Sequence, residues 1–547
     1  MPEQPELFKQ KEELLTLEDA AKWASEYLDK DVTKSNISYL INYGVIKRFG
    51  DKTILISKSE LQEYYDEYYS TREEDWKEQL GDDLNWKLSF EKLPERETTK
   101  HVHRLHTYKG KYIPQLVEYF LNQETDKFKQ RVFFQPGDTI LDPFCGSGTT
   151  LVQANELNMN AIGIDVSEFN AMISNVKITK QDLAQLEKTI KNINQKTQSF
   201  LSERKIDQFV KDLQEEMSDF NKEHFPSPEF KRQVRQKLIQ EKEYGTEKAE
   251  LFLKKYLSLV EEYNIQLTPQ NAEKNFLTKW YIGNTLAEID FLKKEIDNID
   301  DDTQKETLRI ILSKSVRSCR ATTHSDLATL KSPQVNTYYC RKHKKICKPI
   351  FTAFDKWKRY SKDTLKRLKE FSKLRTKTFQ YCLKGDSRSL DIFSKLETIN
   401  PEFTKQIKTK KLDGIFCSPP YVGLINYHEQ HAYAYDLYGL ERNDKEEIGK
   451  LTSGKSKQAQ QEYIDGIADV LKNCIQFLKP NAKIFLVAND DDNLYPEIAK
   501  KTGLQLVNEF KRPVLNRTEK NRTAYAETIF QYQISSDKLL EKSHDYK

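Results

Sequence analysis

The sequence predicts an α/β protein with a doubly wound parallel sheet, split along the chain by a long helical insertion and preceded by a small N-terminal domain. Near residue 136, short apolar strands begin to alternate with Gly-rich turns and a helix, which is typical of a βαβ unit. Residues 178–375 are instead rich in Lys, Glu, Gln and Leu at helical spacing. Short apolar strands return after residue 376. A single sheet with strands on both sides of an insertion explains these three observations.

Length and composition indicate a soluble protein of several domains. A chain of 547 residues, at roughly 150 residues per domain, suggests three or four units. No apolar run approaches the roughly 18 residues of a membrane span and no signal-peptide pattern opens the chain, so we expect a cytoplasmic protein without a membrane partner. Seven scattered cysteines favour reduced thiols over a disulfide framework. The net charge of +4 neither requires nor excludes a polyanionic partner.

Residues 1–75 form the first predicted domain. Helical spacing and cap residues predict, in chain order, a helix from Leu17 to Leu28, a helix from about Thr33 to Gly44, a hairpin around Gly50 and a helix that opens near Ser57. This order resembles the winged helix-turn-helix modules of excisionases and MerR-type regulators. The resemblance implies DNA contacts from Lys34, Asn36, Ser38, Lys47, Arg48 and Lys52. A small docking domain with a solvated polar face explains the same pattern.

The other boundaries follow from changes in composition. Residues 76–100 are polar and acidic, as expected of a linker. The α/β domain is expected in two parts, 101–177 and 376–535, on either side of the helical insertion, and a tail follows over 536–547.

A Gly-rich turn, DPFCGSGTT, joins the first predicted strand to a helix. At such a turn Gly146 and Gly148 allow a ligand to approach the backbone closely, and the helix amides offer hydrogen-bond donors. The pattern is neither a P-loop nor GxGxxG, which argues against nucleoside triphosphates and dinucleotides. Asp165 ends the next strand, where an acidic side chain suits ribose hydroxyls. Together these features predict a ligand with a ribose and no pyrophosphate.

A second turn, CSPPY at residues 417–421, ends the apolar run LDGIF. Proline has a fixed φ and no backbone donor, so Pro419 and Pro420 cannot continue a central strand. The segment is therefore expected to form a stiff ledge. It presents the hydroxyl of Ser418 and the ring of Tyr421 at the end of the strand.

The two turns closely resemble motifs of the amino-group DNA methyltransferases that use S-adenosyl-L-methionine (AdoMet). DPFCGSGTT matches their first motif, Asp165 the second, and CSPPY the catalytic motif. HRLHTYKGKYIPQLVEYFL is similar to the segment that closes over the methionine end of AdoMet, and Asp386 in LKGDSR matches the residue that usually contacts its adenine amine. The resemblance implies a Rossmann-like class I methyltransferase sheet, AdoMet as cofactor, and these cofactor-binding residues: Tyr108, Asp142, Phe144, Gly146, Gly148, Thr149, Asp165 and Asp386.

The catalytic residues implied are Ser418, Pro419, Pro420 and Tyr421. An exocyclic amine is a poor nucleophile because its lone pair is delocalised into the base, and acceptors on Ser418 and Pro419 would hold its hydrogens and counter that delocalisation. A base inside a duplex must be flipped out to be reached, and Tyr421 would then stack on it. Serine at the first position is more typical of cytosine-N4 enzymes, whereas Asp or Asn usually marks adenine-N6 enzymes. We therefore expect double-stranded DNA as partner and cytosine N4 as acceptor, with adenine N6 as the alternative.

Residues 178–375 are the candidate target-recognition domain. They include basic stretches with interspersed aromatic residues, which suit a surface that binds the phosphate backbone of DNA. The insertion falls between the second and third AdoMet motifs, whereas the family often places it after the third. No nuclease motif is evident, so in a restriction-modification setting the endonuclease would be a separate chain. A DNA-binding regulator with a degenerate methyltransferase domain is the rival interpretation, and the intact glycines and SPPY argue against it.

Two histidine-containing stretches raise the question of a metal. His428, Glu429 and His431 lack zincin spacing and are expected to line the base pocket or pack beneath it. Farther upstream, a basic segment contains closely spaced Cys340, His343 and Cys347, with Cys319 or His324 as a fourth candidate ligand. The spacing departs from paired CxxC motifs, and a DNA-facing basic loop with incidental cysteines is the competing interpretation. The sequence therefore assigns no metal ligand.

Overall fold

The computed structural model describes residues 13–50, 53–69, 72–267, 275–326, 330–423, 426–515 and 524–535. Of the sequence predictions, Lys52 and the tail 536–547 lie outside these residues. Within the described parts of the chain, no helix is long and apolar enough to cross a bilayer.

Seven strands of the described chain form one large sheet with the spatial order β6-β7-β5-β4-β1-β2-β3. In chain order they are β1 (Thr139–Asp142), β2 (Asn160–Asp165), β3 (Gln380–Lys384), β4 (Leu412–Cys417), β5 (Leu478–Ala488), β6 (Leu504–Pro513) and β7 (Ala526–Ile534). β7 runs antiparallel to β5 and β6, and the other pairings are parallel. The predicted α/β fold with a mostly parallel sheet is confirmed.

The strand order changes direction at β1. From β1 the chain adds β2 and β3 on one side, and later β4 and β5 on the other. In open α/β sheets, ligands bind outside the carboxyl ends of the strands at such a switch point. The turns that follow β1 and β4 are DPFCGSGTT and CSPPY, so the switch point brings the two motifs to one edge of the sheet.

Each face of the sheet has its own core because successive side chains of a strand point to opposite faces. Ile140 belongs to the first core and Leu141 to the second. The helices of the first face include Pro114–Leu121, Thr149–Glu156 and Glu168–Ile178. Those of the second are Ile392–Glu397, Pro401–Lys410, Lys457–Ile475 and Tyr495–Thr502. Tyr427–Gln430 and Ala432–Tyr438 follow β4.

The insertion between β2 and β3 has two parts. One part adds to the first core of the sheet, with helices Leu183–Ser202, Phe276–Trp280, Gly283–Asp297, Asp302–Ser318 and Phe354–Ser372. The other part has a separate core, built by helices Ile206–His224, Glu229–Arg235 and Glu241–Glu262 and by a hairpin of strands Tyr338–Cys340 and Lys345–Cys347.

The N-terminal domain also has its own core. Its elements are a strand Leu14–Thr16, helices Leu17–Tyr27 and Lys34–Asn42, a strand Leu55–Ser57 and a helix Lys58–Tyr69. The two strands pair with each other, and in the described residues the predicted hairpin around Gly50 is reduced to a single bridge between Phe49 and Leu55. Lys34 pairs with Glu18 at 2.7 Å, and Asn36 caps its own helix with Thr33. The resemblance to a winged helix-turn-helix stays a prediction.

The segment 76–100, predicted as a linker, packs against the sheet. It contains the end of helix Arg72–Leu80, a 3-10 helix Trp86–Ser89 and a short helix Glu95–Thr98. Trp76 and Leu88 are buried, and the Asn85 N–H donates to the Lys511 carbonyl of β6 at 2.8 Å. The linker prediction followed the polar average composition of the segment, whereas a few buried apolar side chains decide its packing.

Candidate functional site

A cleft opens outside the carboxyl ends of β1, β2, β3 and β4. Its empty space is about 880 Å³, open solvent at its mouth included. Of the predicted site residues, the following line it: Tyr108, Phe144, Gly146, Thr149, Asp165, Asp386, Ser418 and Pro420. The cleft thus brings together the motifs that the sequence separates by the insertion. Four predicted residues do not line it, namely Asp142, Gly148, Pro419 and Tyr421.

Asp142 ends β1 and lies behind the wall of the cleft, 1% exposed. Its carboxylate accepts hydrogen bonds from the Phe144 N–H at 3.1 Å and from the Tyr112 hydroxyl at 3.2 Å. Burial raises the pKa of Asp142 to about 6. These bonds fix the turn that carries the glycines, so in this structure Asp142 supports the cleft from behind.

The glycines of the turn are required by their conformations and their neighbours. Gly146 has a φ of +52°, and a Cβ there would lie 2.9 Å from the Tyr108 hydroxyl oxygen. Gly148, with a φ of +73°, precedes helix Thr149–Glu156, and a Cβ there would lie 2.9 Å from the side chain of Ser174. L-residues with side chains adopt such φ values at a cost. Glycine at 146 therefore allows the Tyr108 side chain to pack directly against the turn.

Asp165 lies at the end of β2, with its carboxylate at the cleft and only 9% of the residue exposed. It accepts hydrogen bonds from the Gly146 N–H at 2.8 Å, from the Ser167 N–H at 2.8 Å and from the Asn170 side chain at 3.1 Å. Burial raises the pKa of Asp165 to about 7, although these donors oppose the shift. The carboxylate thus fixes the geometry of the first two motifs relative to each other.

Asp386 follows β3 and forms a two-pronged pair with Arg388, whose Nη2 and Nε lie 2.6 and 3.0 Å from Asp386 Oδ2. Next to it, the Ser387 hydroxyl donates to the Pro143 carbonyl at 2.7 Å. This bond connects the turn after β3 to the turn after β1.

The catalytic-motif candidate leaves β4 and turns into the cleft at Ser418 and Pro420. Pro419 is buried. The Tyr421 hydroxyl donates to Glu527 at 2.6 Å, and Glu527 in turn pairs with Arg512 at 2.9 Å. The ring of Tyr421 is half-buried beside the second core and therefore lies outside the cleft wall in this structure.

The aromatic stretch after CSPPY divides between the two roles that the sequence left open. Tyr427 and His428 line the cleft. His431 is buried against Phe169, with ring centres 5.1 Å apart, and burial lowers the pKa of His431 to about 3. The hydroxyl of Tyr433 lies 3.2 Å from His106 Nε2 in the same packed layer.

Sequence analysis missed several residues of the cleft: Tyr112, Ser147, Asn170, Glu446, Glu447 and Ile448. Asn170 lies five residues after Asp165, in the first turn of helix Glu168–Ile178, a position that could have suggested it. The segment 446–448 has no such signal, because loop contacts hold it at the cleft: the Gly423 N–H donates to the Gly449 carbonyl at 3.0 Å, and the Tyr427 N–H donates to Glu447.

The residues present fit AdoMet. Three polar atoms of cleft-lining side chains are buried without a hydrogen-bond partner in the described chain, namely Ser147 Oγ, Asn170 Oδ1 and His428 Nε2. Buried polar groups are normally paired, so such atoms at a cleft indicate a polar ligand. The carboxylates of Asp165 and Asp386, after β2 and β3, suit the ribose hydroxyls and the adenine amine.

Comparisons with known proteins agree with the motifs. Residues 3–176 match the N6_N4_Mtase family, described as DNA methylase, and residues 130–229 match a family described as RMKL-like, methyltransferase domain. The chain is 45% identical to the type II methyltransferase M.MjaII of Methanocaldococcus jannaschii over 95% of this chain and 97% of that protein. It is 26% identical to M.MvaI of Kocuria varians over 23% of this chain and 27% of that protein. The chain belongs to the amino-group DNA methyltransferases, which use AdoMet as methyl donor.

Proposed function

We propose that this enzyme methylates N4 of cytosine in double-stranded DNA after flipping the target base out of the helix. The observation that carries the proposal is that Ser418 and Pro420 line the same cleft as Gly146 and Asp165. Catalysis of group transfer requires the two reactants to be held within reach of each other. A cleft shared by the cofactor motif and the amine motif meets that requirement.

The residues proposed to hold the base, at the turn after β4, offer hydrogen-bond acceptors on a rigid backbone. When bound, AdoMet supplies an electrophilic methyl group. The Ser418 hydroxyl and the Pro419 carbonyl accept hydrogen bonds from the amine and so favour a lone pair that is localised on nitrogen. Prolines at 419 and 420 carry no N–H that would compete for those acceptors. The segment leaves a buried strand end, Phe416–Cys417, so its backbone is fixed before the base arrives.

Cytosine is proposed over adenine because the first residue of the motif is Ser418, with a neutral hydroxyl where adenine-N6 enzymes usually have Asp or Asn. This support comes from the resemblance and from one side chain.

DNA contact is proposed to involve the insertion. Helix Phe354–Ser372 presents Lys358, Lys362 and Lys366, spaced by four residues, as an exposed row on one side. A row of cations along a rigid helix suits a phosphate backbone.

The type II names of the relatives favour a restriction-modification setting, with any endonuclease as a separate chain.

Expression in a host without DNA methylation of its own, followed by sequencing with modification detection, tests the proposal. We expect N4-methylcytosine at one recurring sequence. N6-methyladenine at a recurring sequence would replace the cytosine assignment with the alternative. Unmodified DNA, together with normal AdoMet binding by the purified protein, would favour the regulator.

A further inference from the structure

The hairpin of the insertion carries a cluster of metal-ligating side chains. His324, Cys340, His343 and Cys347 each offer one ligand atom, and all four atoms lie within 4.8 Å of one another. Cys340 Sγ lies 3.6 Å from Nδ1 of both His324 and His343, and Cys347 Sγ lies 3.6 Å from Nδ1 of His343. Both cysteines are free thiols, so no disulfide explains their approach.

We propose that these four residues form a structural zinc site. Zinc binds thiolate sulfur at about 2.3 Å and imidazole nitrogen at about 2.0–2.1 Å in a tetrahedron, which places sulfur and nitrogen about 3.6 Å apart. The three sulfur–nitrogen distances in the cluster have this value. Two thiolates and two imidazoles are also a donor set that selects zinc over the oxygen-preferring cations.

The backbone of the hairpin brings the ligands together. Cys340 ends one strand and Cys347 ends the other, and their register puts both side chains on one face of the hairpin. The turn between them is closed by the His343 N–H, which donates to the Cys340 carbonyl at 3.1 Å. His343 therefore points back between the two cysteines, and His324 reaches the cluster from the preceding loop.

Tyr338 completes the surroundings of the cluster. Its hydroxyl lies 2.8 Å from His324 Nδ1 and also accepts a hydrogen bond from the His324 N–H at 3.1 Å. With a metal on Nδ1, the hydroxyl keeps the bond to the backbone. The bond to the N–H holds the backbone of His324 beside the hairpin.

Two comparisons within the chain sharpen the assignment. Cys319, the other fourth ligand that the sequence allowed, is buried in the first core and is absent from the cluster. A second group, His101, His103 and Glu156, has no thiol, and its carboxylate is already paired with Lys100 at 2.7 Å. Among the residues that the structure describes, only the hairpin cluster combines two thiols with two imidazoles.

The site has a structural consequence. Three-residue strands are too short to be stable alone, and this hairpin is otherwise held by the Asn221 side chain and by packing on two helices. All four ligands come from protein, which leaves no open position for catalysis. The metal would therefore fix the exposed basic tip formed by Arg341, Lys342 and Lys345.

Metal analysis of the full chain, purified without a histidine tag and without chelator, tests the site. We expect about one zinc ion per chain, falling at least about fivefold in Cys340→Ser and in His343→Ala. Cys319→Ala is the matched control, a buried cysteine of the same insertion outside the cluster, and should keep its zinc. Zinc-free wild-type protein, or equal zinc in all four proteins, would overturn the proposal.

A second measurement on the wild-type protein avoids any effect of the substitutions on folding. After removal of the metal, titration with Co²⁺ alone should give the intense visible bands of a tetrahedral, thiolate-ligated ion and saturate at about one equivalent. The weak spectrum of octahedral Co²⁺ throughout the titration would contradict a Cys₂His₂ site.

Discussion

The two halves of the cleft are built differently. On the cofactor side, Asp165 accepts hydrogen bonds from Gly146, Ser167 and Asn170, all within about twenty positions of one another in the chain. On the base side, Tyr421 bonds to Glu527, more than a hundred residues later. The contacts around Asp165 are therefore local, whereas the position of Tyr421 depends on the last strands being in place.

The largest expected effect separates chemistry from cofactor binding. Ser418→Ala should lower kcat about 100- to 1,000-fold, as expected for loss of one aligned polar group at a reacting centre. The AdoMet Kd should stay within about twofold, because Ser418 follows β4 and, in the described chain, no hydrogen bond joins it to the Gly-rich turn after β1. Single-turnover transfer and equilibrium binding measure the two quantities. A higher Kd for AdoMet with an unchanged kcat would show that Ser418 contacts the cofactor and not the base.

Gly146→Ala should weaken AdoMet binding, the quantity that Ser418→Ala leaves unchanged. The added methyl group would lie 2.9 Å from the Tyr108 hydroxyl oxygen and would displace Tyr108, which lines the cleft. We therefore expect the Kd for AdoMet to rise about 100-fold. Calorimetric titration with AdoMet measures it. Gly439→Ala is the matched control, since Gly439 has a φ of +64° and open space around its missing Cβ. Equal loss in both variants would show that backbone strain, and not the cleft, is responsible.

Tyr421 tests whether the base side works through the aromatic face. The Tyr421 ring lies outside the cleft wall in this structure, so stacking requires it to turn onto the flipped base. If it does, Tyr421→Ala should weaken DNA binding about 10- to 100-fold, because stacking on a base contributes about 1–3 kcal/mol. Tyr421→Phe removes only the bond to Glu527 and should stay within about threefold of the wild type. KM values for DNA measure both. If the Phe variant is as weak as the Ala variant, the contact with Glu527 is the important feature of Tyr421.

The smallest effect concerns pH on the cofactor side. Because burial raises the pKa of Asp165 to about 7, the carboxyl is protonated below that pH and cannot accept hydrogen bonds at both oxygens. AdoMet affinity should therefore rise with pH and level off above 7, with about a tenfold loss per pH unit below it. Asp165→Asn should bind more weakly and lose this dependence. A pH profile that is the same in both proteins would remove Asp165 from the ligand contacts.

More of the predicted cofactor residues than of the predicted catalytic residues line the cleft, and the reason is the same. The strand, turn and helix that place Gly146 and Asp165 are local, so spacing and residue type were sufficient. Tyr421–Glu527 and Gly423–Gly449 are long-range contacts with no local pattern. The segment 76–100 shows a related difficulty, since a few apolar anchors such as Trp76 decide its packing while its average composition is polar.

The most direct test of the shared cleft is to identify the methylated nucleoside. Purified enzyme, AdoMet with a labelled methyl group and double-stranded DNA are combined, and the DNA is digested to nucleosides and analysed by mass spectrometry. We predict that the label appears in N4-methyldeoxycytidine and is lost in Ser418→Ala. Label in another nucleoside, or undiminished label in the variant, would contradict the assignment of Ser418 and its turn as the site that holds the cytosine amine.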